Sequence, residues 1–325
     1  MDDHPALDLT PQQRRERTVD ALTTQLMSLT NRHPVLMIHE DAHWSDPSTL
    51  EMLGRTVKSI ASLRVLFVVT FRPEFKPTWI GQSHVTTFAI NRLTRREVDI
   101  MIDNLAGGQA VPASIRQDIM ERSDGVPLFV EEVTKAVLEG DNQTTPGQIT
   151  NVPASRFVVP ATLQASLMAR LDRLGAAKEV AQVGAAIGRE FSYALLAAVV
   201  PQSEAELHLA LDRLVAAGLL FRQGDPSQAT YLFKHALVQD AAYGTLLREP
   251  KRALHARIAE VLESQFHDIA NQHPELLAHH CTEAGLIEKA AGLWGRAGRR
   301  SLGRSALTEA AAQLSRALDQ IATCC

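Results

Sequence analysis

Residues 35–48 read Val35-Leu36-Met37-Ile38-His39-Glu40-Asp41-Ala42-His43-Trp44-Ser45-Asp46-Pro47-Ser48. The apolar run Val35 to Ile38 fits a strand buried on both faces of a parallel sheet. It stops at His39-Glu40-Asp41, so two carboxylates stand at the strand's carboxyl end, the edge where open α/β sheets bind ligands. Asp46-Pro47-Ser48 then opens a helix, with Asp46 as N-cap and Pro47 in the first helical position. The helix continues through Leu50, Leu53, Val57 and Ile60. A second apolar strand runs from Arg64 to Thr70 and closes on Phe71-Arg72-Pro73-Glu74. Strand, helix and strand in succession make a βαβ unit.

On the amino-terminal side, residues 11–30 predict an amphipathic helix with Val19, Leu22, Leu26 and Leu29 on one face. His33-Pro34 ends it. On the other side, a weaker third strand is expected from His84 to Ile90. Helices are expected from about Arg95 to Leu105, from about Pro112 to Arg122, and from Leu128 to Leu138, the last opened by Gly125-Val126-Pro127. Residues 140–160, rich in Gly, Pro, Thr, Asn and Gln, read as a linker. Helices follow at about 161–174, 176–188, 192–200 and 203–217. Two short strands come next, Leu219 to Arg222 and Thr230 to Phe233, with a turn at Gly224-Asp225-Pro226-Ser227. Three helices followed by a hairpin outline a winged helix. Residues 274–321 alternate small and large apolar residues at helical spacing, as about one and a half tetratricopeptide-type hairpins would. The expected domains are therefore 1–139, a linker at 140–160, 161–266 and 267–325.

Composition narrows the function. At 45% hydrophobic and 22% charged, the chain has globular rather than disordered composition. Its formal charge of −4 argues against general binding of nucleic acid or of an anionic membrane. The longest apolar runs fall far short of the ~20 residues of a membrane span, and the first residues lack a secretory h-region. Cys281, Cys324 and Cys325 suit neither a disulfide framework nor a zinc site. A soluble, cytoplasmic protein is expected.

The chemistry-bearing candidates are few. Glu40 and Asp41 suit Mg²⁺ held through water and an oriented attacking water, though two solvated acids opening a loop would look the same. Thr70 and Arg72, at the end of the adjacent strand, suit contacts to phosphate; a strand-end Thr and a surface Arg fit the residues equally well. Gly125-Val126-Pro127, taken alone, reads as punctuation, a turn opening a helix. His235 sits where the hairpin passes into a helix, a place where a lone His is usually structural.

In this order the segments resemble the STAND class of P-loop ATPases, especially the large bacterial regulators that carry an adenylate/guanylate cyclase domain or a LuxR-type DNA-binding domain. HEDAHWSDPSTLEML resembles the Walker B region and VVTFRPEF the sensor strand. SDGVPLFVEEVTKAVLE is similar to the helical lid, and FKHALVQDAAYGTLLREPKRALHARIAEVLE to the winged-helix end. The resemblance spans about residues 9–321. It implies a partial P-loop α/β core followed by a mainly helical lid, winged helix and repeats. It also implies ATP/ADP with Mg²⁺ as ligand. Glu40 and Asp41 would then be catalytic and metal-binding, and Thr70, Arg72, Pro127 and His235 nucleotide-binding. Pro127 would lie against the adenine, and His235 would sense the ADP β-phosphate.

No G-x-x-x-x-G-K-[ST] occurs in the 325 residues. That loop supplies the amides and lysine that cradle the phosphates. The chain thus reads as an N-terminally truncated relative of the class, a signal-transduction switch inactive as an ATPase by itself. A P-loop-bearing or cyclase-bearing chain is then an expected partner, besides proteins bound by the C-terminal repeats. The alternatives are a non-catalytic interaction scaffold and a winged-helix transcriptional regulator. The last is disfavoured because residues 203–217 carry Glu204, Glu206 and Asp212 against Arg213, a poor recognition helix.

Overall fold

The computed structural model describes residues 9–141 and 162–322. In chain order the elements are α1 (Pro11–Arg32), β1 (Val35–His39), α2 (Pro47–Ser59), β2 (Val65–Val69), α3 (Arg95–Ala106), α4 (Ala113–Ser123) and α5 (Pro127–Asp141). After these come α6 (Leu163–Arg173), α7 (Ala176–Ile187), β3 (Glu190–Ser192), α8 (Tyr193–Val199), α9 (Glu204–Ala216), β4 (Leu220–Gln223) and β5 (Thr230–Phe233). The rest is helical: α10 (Ala236–Gly244), α11 (Arg248–Gln265), α12 (His267–Gln272), α13 (Pro274–Ala284), α14 (Ile287–Gly303) and α15 (Leu307–Ala322). The fold is mainly helical with two small sheets. It divides into two compact units, one of residues up to Ala89 with those from His267 onward, the other of residues 90–266. The expected linker lies outside the described residues beyond Asp141.

In the first unit, local chemistry sets the element boundaries. Thr10 and Gln13 form a reciprocal capping box at the start of α1. Asp46 accepts from the Thr49 amide at 2.8 Å, with Pro47 beginning α2. β1 and β2 pair in parallel, Val35 opposite Val65 through His39 opposite Val69. One face of this pair packs Phe67 and Val69 on a small core of Leu53, Val57 and Trp79. The other face does not match the expectation of strands buried on both sides. Leu36, Ile38 and Leu66 are 61%, 63% and 64% exposed. A two-stranded sheet with a single crossover helix has a cover for one face only. The third strand expected at His84 to Ile90 does not form; this stretch carries no strand pairing. Nor does α1 bury its whole apolar stripe, since Leu22 and Leu29 stay exposed. An Ile38→Lys, Leu66→Lys double variant is accordingly expected to lower the fluorescence of a hydrophobic dye several-fold with little change in melting temperature. Unchanged dye binding would place the accessible apolar surface elsewhere.

At the far end of the sequence, α14 packs against both α13 and α15. Ala278, Ala290, Leu293, Trp294, Ala297, Ala310 and Ala317 from the alternating pattern are buried, whereas Leu286 is exposed. Gly298 lets α15 approach closely: a Cβ there would lie 2.6 Å from Leu314 Cγ. The Ser48 amide, in the first turn of α2, donates to Glu309 Oε1 of α15 at 2.9 Å.

In the second unit, α3, α4 and α5 enclose Val98, Ile102, Ile115, Ile119, Val130 and Val133. Helices α6 to α9 bury Leu167, Leu171, Val180, Leu196, Leu211 and Leu214. The hairpin β4–β5 forms as expected and gains a third strand, β3, giving the antiparallel order β3-β5-β4. β3 is too short to show a period in the sequence. Phe191 on it stacks on Tyr231 at 5.9 Å and lies against Gly184, where a Cβ would come within 2.7 Å of the ring.

Candidate functional site

In the first unit, the carboxyl end of the β1–β2 pair is knitted by backbone and hydroxyl bonds. The Thr70 amide donates to the His39 carbonyl at 3.0 Å, and the Ala42 amide to the Thr70 carbonyl at 2.9 Å. Between these, the Asp41 amide donates to Thr70 Oγ1 at 3.0 Å. Two sequence-predicted residues from different strands therefore meet at one edge. Asp41 adopts φ +54°, left-handed for a residue with a Cβ. That conformation is uncommon outside Gly, and Asp is among the residues that tolerate it best. It turns the chain directly from strand into the Ala42–Trp44 turn. Glu40 is exposed and Asp41 half-buried.

Around this edge, His39 Nε2 and Ser45 Oγ lie 2.8 Å apart. The Arg72 guanidinium sits 5.3 Å from the Trp44 ring centroid, a cation–π distance, and the His43 and Trp44 ring centroids are 4.7 Å apart. Both ring nitrogens of His43 are buried without a hydrogen-bond partner among the described residues. Leaving such atoms unpaired is costly, so the two nitrogens call for an explanation. The sequence pattern assigns His43 no role; its place two residues after Asp41 is the one signal there that points to it. Asp46, past the turn, sits below the ordinary carboxyl range: burial pushes it up, but hydrogen bonds from Thr49 outweigh this.

In the second unit, Pro127 is the first residue of α5 and is exposed. The turn before it is fixed by Gly125, at φ +69°, whose carbonyl accepts from the Leu93 amide at 2.8 Å. Beside the turn lies a cavity of about 370 Å³ lined by Arg92, Leu93, Arg95, Met120 and Asp124 among others. His235 precedes α10 in extended conformation and makes no side-chain cap bond. Its Nε2 is buried without a partner among the described residues. Burial and the charge of Lys234 hold its imidazole below the ordinary range, against the pull of Glu131 and Glu132. Those acids belong to α5, the helix that Pro127 begins.

Glu40 and Asp41 offer donor chemistry suited to Mg²⁺, which keeps most of its waters and takes one or two carboxylates. Among the described residues no group of three or more His, Cys, Asp or Glu could hold a metal by itself. No helix among them is long and apolar enough to cross a membrane.

No protein-family profile matches the chain. An uncharacterized protein of Rhizobium meliloti (strain 1021) is 31% identical over 314 residues, which cover 95% of this chain. The chain spans 30% of that relative's length.

Proposed function

We propose that this chain is part of a nucleotide-responsive switch of the STAND type, with Glu40, Asp41, Thr70 and Arg72 as the ligand-facing residues of the first unit and Pro127 and His235 as those of the second. The observation that carries the reading is the bond from the Asp41 amide to Thr70 Oγ1. It ties the Asp41 backbone to the Thr70 hydroxyl just past the ends of two parallel strands, at the edge where α/β sheets take ligands. The exposed apolar face of β1–β2 supports the reading from packing, because parallel strands are ordinarily covered on both faces. On this reading α6 to α9 with β3-β5-β4 form the winged helix, α3 to α5 the lid, and α13 to α15 a tetratricopeptide-like array open to protein partners.

When bound, Mg²⁺ would neutralise phosphate charge beside Glu40 and Asp41. Thr70 orders the Asp41 backbone, and Arg72, propped on Trp44, presents its cation to an anionic ligand. His235, if neutral and protonated at Nε2, offers that atom as a hydrogen-bond donor to a phosphate oxygen.

The phosphate cradle is not encoded in this sequence, so the test uses the chain alone and the chain joined to a strand–helix segment bearing G-x-x-x-x-G-K-[ST]. Alone, it is expected to bind Mg-ADP with Kd above about 1 mM and to show no turnover, because the acids repel phosphate and cannot replace a P-loop. Joined, it is expected to bind Mg-ADP in the micromolar range. His235→Ala then weakens binding about tenfold, the worth of one hydrogen bond to a charged group, with an unchanged nucleotide-free melting temperature. Joined protein that ignores nucleotide would overturn the switch reading. The scaffold alternative draws on the exposed Leu307, Leu318 and Ile321 of α15, and it would gain from that result.

A further inference from the structure

A cavity of about 520 Å³ opens among the last three helices, lined by Glu275, Leu276 and His279 of α13, Trp294 of α14, and Gln313 and Arg316 of α15, among others. Trp294 is buried, and its indole is fixed: Nε1 donates to Thr282 Oγ1 at 3.0 Å, and that hydroxyl donates to the Ala278 carbonyl at 2.9 Å. The Arg316 guanidinium lies over this ring, 4.8 Å from its centroid. A guanidinium held over a ring keeps its N–H donors at its edges. Arg316 makes no hydrogen bond or ion pair among the described residues.

Gln313 stands one turn before Arg316 on the same face of α15. Its Oε1 accepts from Ser301 Oγ at 2.7 Å, which fixes the amide with its NH₂ group left to donate. Glu275, the one carboxylate among the described lining residues, is engaged by His273, with Nδ1 and Oε1 3.1 Å apart. The cavity thus combines an unpaired cation and spare N–H donors with apolar surface from Leu276 and Trp294. It is a groove rather than an enclosed hollow, since His273, His279 and Arg316 on its rim are exposed. Sites for small molecules bury most of their ligand. A groove open between two helices suits a chain that passes along it.

We propose that this groove binds an acidic peptide segment of a partner protein, with Arg316 as the anchor for an Asp or Glu side chain and the Gln313 amide as a donor to the peptide backbone. The proposal rests on the reading of α13 to α15 as open to protein partners, and not on nucleotide binding. Charge complementarity selects the occupant, because a neutral or basic segment would leave the Arg316 cation unpaired. Contact with Trp294 preorganises the guanidinium, so less side-chain freedom is lost when a carboxylate arrives.

The test offers the full chain a panel of fluorescein-labelled decapeptides bearing Asp and Glu among Leu, Phe, Gly and Ser, beside a matched panel with Asn and Gln in place of the acids. Acidic peptides are expected to bind and their amide counterparts not. For the tightest peptide, Arg316→Gln is expected to weaken binding about tenfold, the worth of a bond to a charged group, with an unchanged melting temperature. Arg316→Lys should recover only part of this, since an ammonium keeps the charge but not the fork. Arg296→Gln, at an exposed position of α14 outside the lining, should change nothing. Equal weakening by Arg296→Gln would reveal diffuse attraction and overturn the site. So would full displacement of the peptide by millimolar free glutamate, which would mark a small-molecule pocket. Failure of both panels, or binding indifferent to Arg316→Gln, would also overturn the proposal. Mg-ADP binding by the P-loop-joined protein is measured separately. Acidic-peptide binding without nucleotide binding removes the switch reading alone, and the converse removes this proposal alone.

Discussion

Glu132→Leu is expected to destabilise the second unit by about 3–5 kcal/mol, measured by urea unfolding. Glu132 and Arg170 form an ion pair whose side chains are 1% and 2% exposed. Arg170 also donates to the Ala217 carbonyl at 2.7 Å, and Ser166 Oγ donates to the Glu132 carbonyl at 3.3 Å. Removing the carboxylate strands a buried guanidinium, and that uncompensated charge is the source of the loss. Glu132→Leu combined with Arg170→Met should recover a large part of it, since two apolar residues of similar volume can replace a buried pair at little net cost. A double variant as unstable as the sum of the single ones would show that the bond from Arg170 to Ala217, not the charge pair, carries the stability. Arg173 adds a bond to the Ala136 carbonyl at 3.1 Å. These bonds and the buried ion pair fasten α5 to α6.

Gly125→Ala is the second large effect. At φ +69° a side chain is strained wherever it sits, by about 1–2 kcal/mol. Here the added Cβ would also lie 2.3 Å from the Leu93 carbonyl oxygen, a contact with backbone that cannot rotate away. A total loss of about 3 kcal/mol is expected, together with weakening of the Leu93–Gly125 bond that holds the turn before Pro127. Gly107 supplies the control. It has φ +57°, but a Cβ added there would meet nothing within 4 Å, so Gly107→Ala should lose only the conformational part. Equal losses at the two positions, again by urea unfolding, would mean that the Leu93 contact relaxes.

Much of the fold is legible in the sequence where local signals agree with tertiary structure. The apolar runs at Val35–Ile38 and Val65–Val69 become parallel strands, and Asp46 with Pro47 begins a helix. Thr230–Phe233 and its partner form the expected hairpin. What fails does so for identifiable reasons. His84–Ile90 has strand composition, but Phe88 and Ile90 are 84% and 97% exposed, with no neighbouring strand to pair with among the described residues. β3 is invisible because a three-residue strand shows no period; it is fixed by Phe191 packing on Tyr231 and Gly184. At the candidate site, the placement of Asp41 beside Thr70 follows from reading both as strand ends. The neighbours of His235 do not, since Glu131 lies about a hundred residues away and only packing brings it to Lys234. His43 goes unassigned because burial of its two nitrogens is a tertiary fact.

The first unit is assembled from two stretches of chain, residues up to Ala89 and residues from His267 onward, while the second is a single uninterrupted run. On the ribosome this imposes an order of events. Residues 90–266 can close their core as soon as they emerge, because the residues that build it follow one another in the run. The segment that carries β1 and β2 emerges earlier, while the bond from the Ser48 amide to Glu309 of α15 must wait for the end of the chain, and closing so long an intervening loop carries an entropic cost that grows only slowly with its length. Leu36, Ile38 and Leu66 stand exposed on that open-edged sheet from the moment it pairs and stay exposed in the finished fold, the kind of surface that pairs with whatever is nearby. Slow synthesis through residues 90–266 therefore lengthens the time that α2 stands without its bond to α15.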